Sequence, residues 1–170
     1  MTWPPTGRAF KNVVDVTNIV DNLLGYIETQ QADVLLWAQG NGSLANFAGL
    51  YPNAAGRLGT LFPSLMILAQ QSETDLSGDV LITALELTLE GTVTGGNPDV
   101  LVLNTKTYAM AVESILANIE SEDLTGDPNI TAALMESRTA FDILRGQKTA
   151  NSFMQIFQTR ALYKILTPAF

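Results

Sequence analysis

Among the usual catalytic arrangements, paired carboxylates are the one that this sequence leaves open. Its 170 residues contain no histidine and no cysteine, which excludes Ser-His-Asp and Cys-His nucleophiles, His- or thiolate-bound metals, Fe–S clusters and disulfides. Two spaced pairs remain, Glu86 with Glu90 and Asp75 with Asp79, and such pairs can serve a glycosidase or bind Mg²⁺. Since Glu86 and Glu90 also fit the solvent side of a strand, no catalytic residue, cofactor or metal site is predicted.

The glycines do not indicate a nucleotide site. The segment 146–149 (GQKT) resembles the end of a phosphate-binding loop, but the upstream glycine is missing and the following segment has a strand pattern. Gly40, Gly42, Gly56 and Gly59 lack the spacing and the strand-to-helix context of a dinucleotide fingerprint. Turns are the better interpretation of these glycines.

Composition indicates a globular chain of one domain. Apolar residues make up 46% and charged residues 15%, which excludes intrinsic disorder. Nine Lys and Arg against 17 Asp and Glu give a net charge of −8, the wrong sign for binding nucleic acid through its phosphates. No apolar run approaches 18 residues and the start lacks a signal-peptide pattern, so we expect an unexported protein with no membrane partner.

The first half of the chain predicts an arm, a helix and a strand. Residues 1–12 contain Pro4 and Pro5 before any periodicity and are predicted to form an N-terminal arm. Apolar residues three and four apart predict a helix over about 13–29, which the apolar segment 34–38 continues or restarts. A proline-led apolar run over 63–70 predicts a strand, and the polar residues 71–75 predict a connector.

The second half predicts two strands and two further helices. Alternation of apolar and polar residues over 83–94 predicts a strand with one solvent-exposed (wet) face, in which Gly91 could mark a bulge. Asn97-Pro98-Asp99 has the features of a helix start, and the helical period continues to about 119. A turn rich in acidic residues over 120–128, a shorter helix over 129–145 and a closing strand from 157 follow. The predicted fold is α+β: one domain over 13–170, with a small mixed or antiparallel sheet flanked by two long amphipathic helices.

Four segments, in this order, carry a resemblance to a known family: 63–68 (PSLMIL), 85–91 (LELTLEG), 103–112 (LNTKTYAMAV) and 157–163 (FQTRALY). Together with the N-terminal helix, this arrangement resembles the tail terminator proteins of tailed bacteriophages over roughly residues 13–168. The resemblance implies a non-enzymatic virion protein, assembled in the host cytoplasm. Such a protein forms a ring, commonly a hexamer, that caps the tail tube in the neck and joins it to the head-tail connector or head closure protein.

The resemblance also implies a channel through which DNA passes without specific binding. If the strand around Leu87 lines that channel, its wet face supplies the wall, and an acidic wall repels phosphate. The predicted channel-lining residues are Glu86, Thr88 and Glu90. The predicted interface residues are the large or rigid side chains Trp3, Pro4, Pro5, Phe10, Trp37 and Tyr51, although burial of Trp3, Trp37 or Tyr51 in the protein's own core is an open alternative.

Three other functions stay open at the level of sequence. One is a different neck role, as a head closure or head-tail joining protein. The second is a small enzyme that uses carboxylates and a metal ion. The third is an α+β module that binds an unspecified ligand.

Overall fold

The computed structural model describes residues 14–39, 44–144 and 152–169. The elements follow the chain as α1 (Val16–Gln39), β1 (Gly49–Tyr51), a 3-10 helix (Ala54–Leu58), β2 (Ser64–Ser77), β3 (Val80–Gly95), α2 (Pro98–Asn118), α3 (Ser121–Thr125), β4 (Thr131–Leu144) and β5 (Phe153–Pro168). The predicted arm over 1–12 lies outside the described residues. No helix of the described ranges is long and apolar enough to cross a membrane.

The strands form one five-stranded mixed sheet in the order β1-β2-β3-β5-β4. β1 pairs with β2 in parallel, and every other neighbouring pair is antiparallel. A tight turn at Gly78, which has a φ of 62°, joins β2 to β3. β4 occupies one edge of the sheet, and short β1 covers only Ser64–Met66 of β2 at the other edge.

The core lies between one face of the sheet and the helices. Leu85, Leu87 and Leu89 of β3 are fully buried, which confirms the predicted alternation. Their cross-strand neighbours on β5 are Tyr163, Ala161 and Thr159, which are buried too. The helices contribute Ile19, Leu23, Ile27 and Leu35 of α1 and Leu101, Val112 and Leu116 of α2 to the core.

The two long helices have the predicted positions. α1 runs without a break to Gln39, so residues 34–38 continue the helix as expected. At the start of α2 the Asn97 side chain accepts hydrogen bonds from the backbone N–H groups of Asp99 and Val100, at 3.0 and 3.3 Å. This cap satisfies two of the N–H groups that a helix start leaves unpaired.

Buried polar side chains fix the segment between α1 and β1. Gln31 of α1 accepts a hydrogen bond from the Phe47 N–H at 2.8 Å, and the Tyr108 hydroxyl of α2 donates to the Ala45 carbonyl. The rings of Phe47 and Tyr108 pack with their centroids 5.0 Å apart. Burial raises the pKa of Tyr108 to about 12, because the ionised phenol would lose its hydration.

The predicted helix over 129–145 is wrong: residues Thr131–Leu144 form β4. A register shift between Leu134 and Glu136 marks a bulge, so the helix-facing positions step from Leu134 to Ser137. That spacing of three imitates a helical period, although the residues on either side of the bulge alternate as in a strand.

Two smaller predictions also need correction. The polar residues 71–75 are not a connector, because β2 continues through them to Ser77 and Thr74 pairs with Thr83 of β3. Residues 71–75 of β2 are all polar, so they lack the apolar alternation that indicates a half-buried strand. Gly91 is not a bulge either, since it pairs in regular register with Phe157.

Candidate assembly interface

The face of the sheet opposite the helices, called the open face here, presents the candidate site. Side chains of a strand point alternately to the two faces, so the even-numbered residues of β3 and β5 lie on the open face. Opposite one another there are Glu86 and Leu162, Thr88 and Arg160, and Glu90 and Gln158. This face carries all three residues that were predicted to line a channel.

The structure gives those three residues different surroundings. Glu86 is exposed and Thr88 is half-buried, whereas Glu90 keeps only 7% of its surface exposed. An Arg57 side-chain nitrogen lies 3.2 Å from a Glu90 carboxylate oxygen, and the Gln158 amide donates to the same carboxylate at 2.7 Å. The prediction that Glu90 lies on a wet face is therefore wrong.

The chain between β1 and β2 causes this burial. After β1 it crosses onto the open face as the 3-10 helix, which brings Arg57 over Glu90. The hydrogen bonds that Arg57 donates to Glu90, followed by the negative charge of Glu90, raise the pKa of Arg57 above its usual value. The pairing also shows that Glu86 and Glu90 are not an equivalent pair of catalytic carboxylates. Among the residues that the structure describes, no three carboxylates converge as a metal site would require.

Glu90 and Glu86 supply a matched test of this arrangement. We expect Glu90→Ala to lower the free energy of unfolding by about 1–3 kcal/mol, because Gln158 and Arg57 lose their shared acceptor. Glu86→Ala should change it by less than about 0.5 kcal/mol, since Glu86 is exposed. Urea unfolding of the two variants beside the wild type measures the difference. Equal losses would contradict the role of Glu90 as the anchor of the crossing segment.

Three basic side chains lie close together further along the open face. Arg138 of β4 and Arg160 of β5 are directly opposite each other, and Lys164 is four residues along β5 on the same face. We call Arg138, Arg160 and Lys164 the basic patch, and all three side chains are exposed. Like charges opposite one another across a pair of strands are unfavourable. The patch is notable because the whole chain has a net charge of −8.

Within the described ranges the basic patch has one ion pair, between Arg138 and its neighbour Glu136. Arg138 and Glu136 share a shallow groove with Glu86, Arg160 and Leu162. The sequence does not reveal this patch, because the helix predicted over 129–145 does not place Arg138 opposite Arg160. An uninterrupted alternation would have been the signal, and the bulge in β4 removes it.

The predicted interface residues fall into three groups. Trp3, Pro4, Pro5 and Phe10 lie outside the described residues. Trp37 is 64% exposed beside the equally exposed Leu36 near the end of α1, as a contact residue would be. The Tyr51 ring instead lies against Gly49, Gly56 and Gly59, where an added Cβ would come within 3 Å of it. Packing within its own chain therefore accounts for Tyr51.

Comparisons with known proteins find similarity among solved structures. No family model matches the chain, and no curated protein matches it. Among solved structures, the chain is similar to one from the virion of a native gene transfer agent particle, with 14% identity and a TM-score of 0.36. The match covers 86% of this chain and 97% of the other. A similarity this low does not transfer a role from one protein to the other.

Proposed function

We propose that this protein is a non-enzymatic structural subunit of a phage-like virion, in which it acts as a tail terminator. Copies of the chain form a ring that closes the tail tube and joins it to the head connector, with a central channel for DNA. The observation that carries the proposal is the open face of the sheet, where charged side chains, including the basic patch, are exposed within the described part of the chain and can contact another protein.

The sheet edges support an assembly role. β4 pairs with β5 on one side, and its other side is the edge of the sheet. On that outer side the Ser121 hydroxyl donates to the Ala132 carbonyl and accepts from the Ala132 N–H, and no described strand pairs there. At the opposite edge, β1 pairs only with Ser64–Met66 of β2, and no other described strand pairs with that side of β2. Long uncovered edges and exposed large apolar residues such as Trp37 and Met135 are features of surfaces that other proteins cover.

The structure also changes the expected channel wall. With Glu90 buried under Arg57, Glu86 is the exposed carboxylate of the three predicted lining residues. The basic patch lies on the same face, so that face is of mixed charge and is not uniformly acidic. If it lines the channel, the repulsion of DNA has to come from other carboxylates, and Glu86 and Thr88 contribute little of it.

A mass measurement on the full-length chain tests the proposal. Native mass spectrometry of the purified protein, alone and mixed with tail-tube protein, should show a ring of several 18.3-kDa chains. The same ring should stop tube polymerisation when it is added to growing tubes, and should be present in purified particles. A chain that stays monomeric, leaves tube growth unchanged and is absent from the particles would overturn the proposal.

A further inference from the structure

We propose that the basic patch binds the acidic turn of a second copy of the same chain, in a head-to-tail contact. The acidic turn is defined here as Glu120, Glu122 and Asp123, at the start of α3. The inference rests on the proposed assembly function and names the surfaces through which the copies meet. It is carried by the charge complementarity of two separate surfaces of one molecule.

The three cations of the basic patch have one ion-pair partner among the described residues. Arg138 and Arg160 repel each other across the strands. Neither Arg160 nor Lys164 forms an ion pair with a described residue, and Glu136 is the only such partner of Arg138. Carboxylates from outside would relieve this repulsion, and arginine binds carboxylates through two parallel hydrogen bonds.

The acidic turn has an excess of negative charge. Its three carboxylates are exposed and lie within four residues, and none of them forms an ion pair with a residue that the structure describes. Two of them, Glu122 and Asp123, are in the first turn of α3. The turn is held rigidly, because the side-chain amides of Asn18 and Asn22 donate to the carbonyls of Thr125 and Leu124, both at 3.1 Å. A rigid turn loses little entropy when it binds.

The positions of the two surfaces exclude a contact within one chain and fit a contact between copies. The basic patch is on the open face, whereas α3 packs with α1 and with the start of β4, on the helix side of the sheet. Two complementary patches at different places on one subunit produce a head-to-tail contact, which closes into a ring when the rotation allows it. Leu162, 37% exposed between Arg160 and Lys164, adds an apolar centre to a charged rim.

A second copy fits the patch better than DNA does. The carboxylates of Glu86 and Glu136 lie in the same groove as Arg138 and Arg160, so the basic patch with Lys164 keeps only a small net positive charge. DNA binding depends on many phosphate contacts and on the release of counterions, which such a groove does not provide. A short acidic segment needs only a few contacts with the arginines, and the chain itself carries that segment.

Charge exchange tests the contact. Sedimentation velocity on the full-length chain should show that Arg138→Glu with Arg160→Glu weakens self-association at least about tenfold, because like charges then face each other. Glu122→Lys with Asp123→Lys should weaken it similarly. The protein that carries all four changes should regain association to within about threefold of the wild type. Raising the salt concentration should weaken the wild-type contact.

Lys106→Glu on α2 and Asp33→Lys on α1 are the matched controls, because both residues are exposed and lie away from the two surfaces. They should leave association unchanged, and circular dichroism should show that every variant is folded. The contact would be overturned if the protein with all four substitutions failed to regain association, or if Arg138→Glu with Arg160→Glu left association unchanged. The proposed virion role would stand in either case. Wild-type protein that does not self-associate, or patch arginines needed only for binding duplex DNA, would overturn the contact as well. Absence from particles bears on the proposed function instead.

Discussion

Replacing Gly91 with alanine is expected to lower the free energy of unfolding by about 3 kcal/mol or more. A Cβ at this position would lie 2.1 Å from the Phe157 ring, which is fully buried opposite Gly91 on β5. The ring occupies the space that a side chain at Gly91 would need, and close packing prevents it from moving aside. Urea unfolding, under conditions in which the chain is monomeric, measures the loss.

A double-mutant cycle separates this clash from the general cost of altering β3. Phe157→Ala alone should cost about 3–5 kcal/mol. If the clash is the cause, Gly91→Ala should add almost nothing in the Phe157→Ala background, so that the two effects are far from additive. Gly25→Ala is the control, because Gly25 is exposed in α1 and an added Cβ there meets nothing within 4 Å. That variant should gain about 0.5–1 kcal/mol, and a loss at Gly25 similar to that at Gly91 would contradict the interpretation.

Leu87→Ala should lower the free energy of unfolding by about 2.5–5 kcal/mol, because it opens a cavity at the centre of the sheet. Leu87 is fully buried and lies between Ala69 of β2 and Ala161 of β5. Small neighbours on both sides leave little that could move to fill the space.

Leu103→Ala makes the same chemical change on the surface of α2, where Leu103 is 65% exposed. It should alter the free energy of unfolding by less than about 0.5 kcal/mol, since little apolar surface returns to water and alanine favours a helix. Thermal and urea unfolding of the two variants in parallel provide the comparison. A small loss for Leu87→Ala would mean that the sheet does not pack as described.

Short-range rules were sufficient for much of the fold. Alternation around Leu87 predicted β3, and the Asn97 cap predicted the start of α2. In both places the residues that decide the structure are within a few positions of each other, so the pattern is visible in the sequence alone. The absence of histidine and cysteine limited the possible chemistry in the same direct way.

The site itself depended on contacts between residues that are far apart in the chain. Glu90 and Glu86 look alike in the alternating pattern, and only Arg57, 33 residues away, buries one of them. Arg138 and Arg160 are neighbours because β5 lies between β3 and β4 in the sheet. The register between β4 and β5 then places the two arginines opposite each other.

Local pattern therefore determined which face of each strand is apolar, whereas the tertiary structure decided which polar residues on the other face are buried, paired or left exposed. The physical reason is that burial of an apolar face follows from the period of the chain itself. The environment of a charged side chain is set by whichever distant segment comes to lie over it.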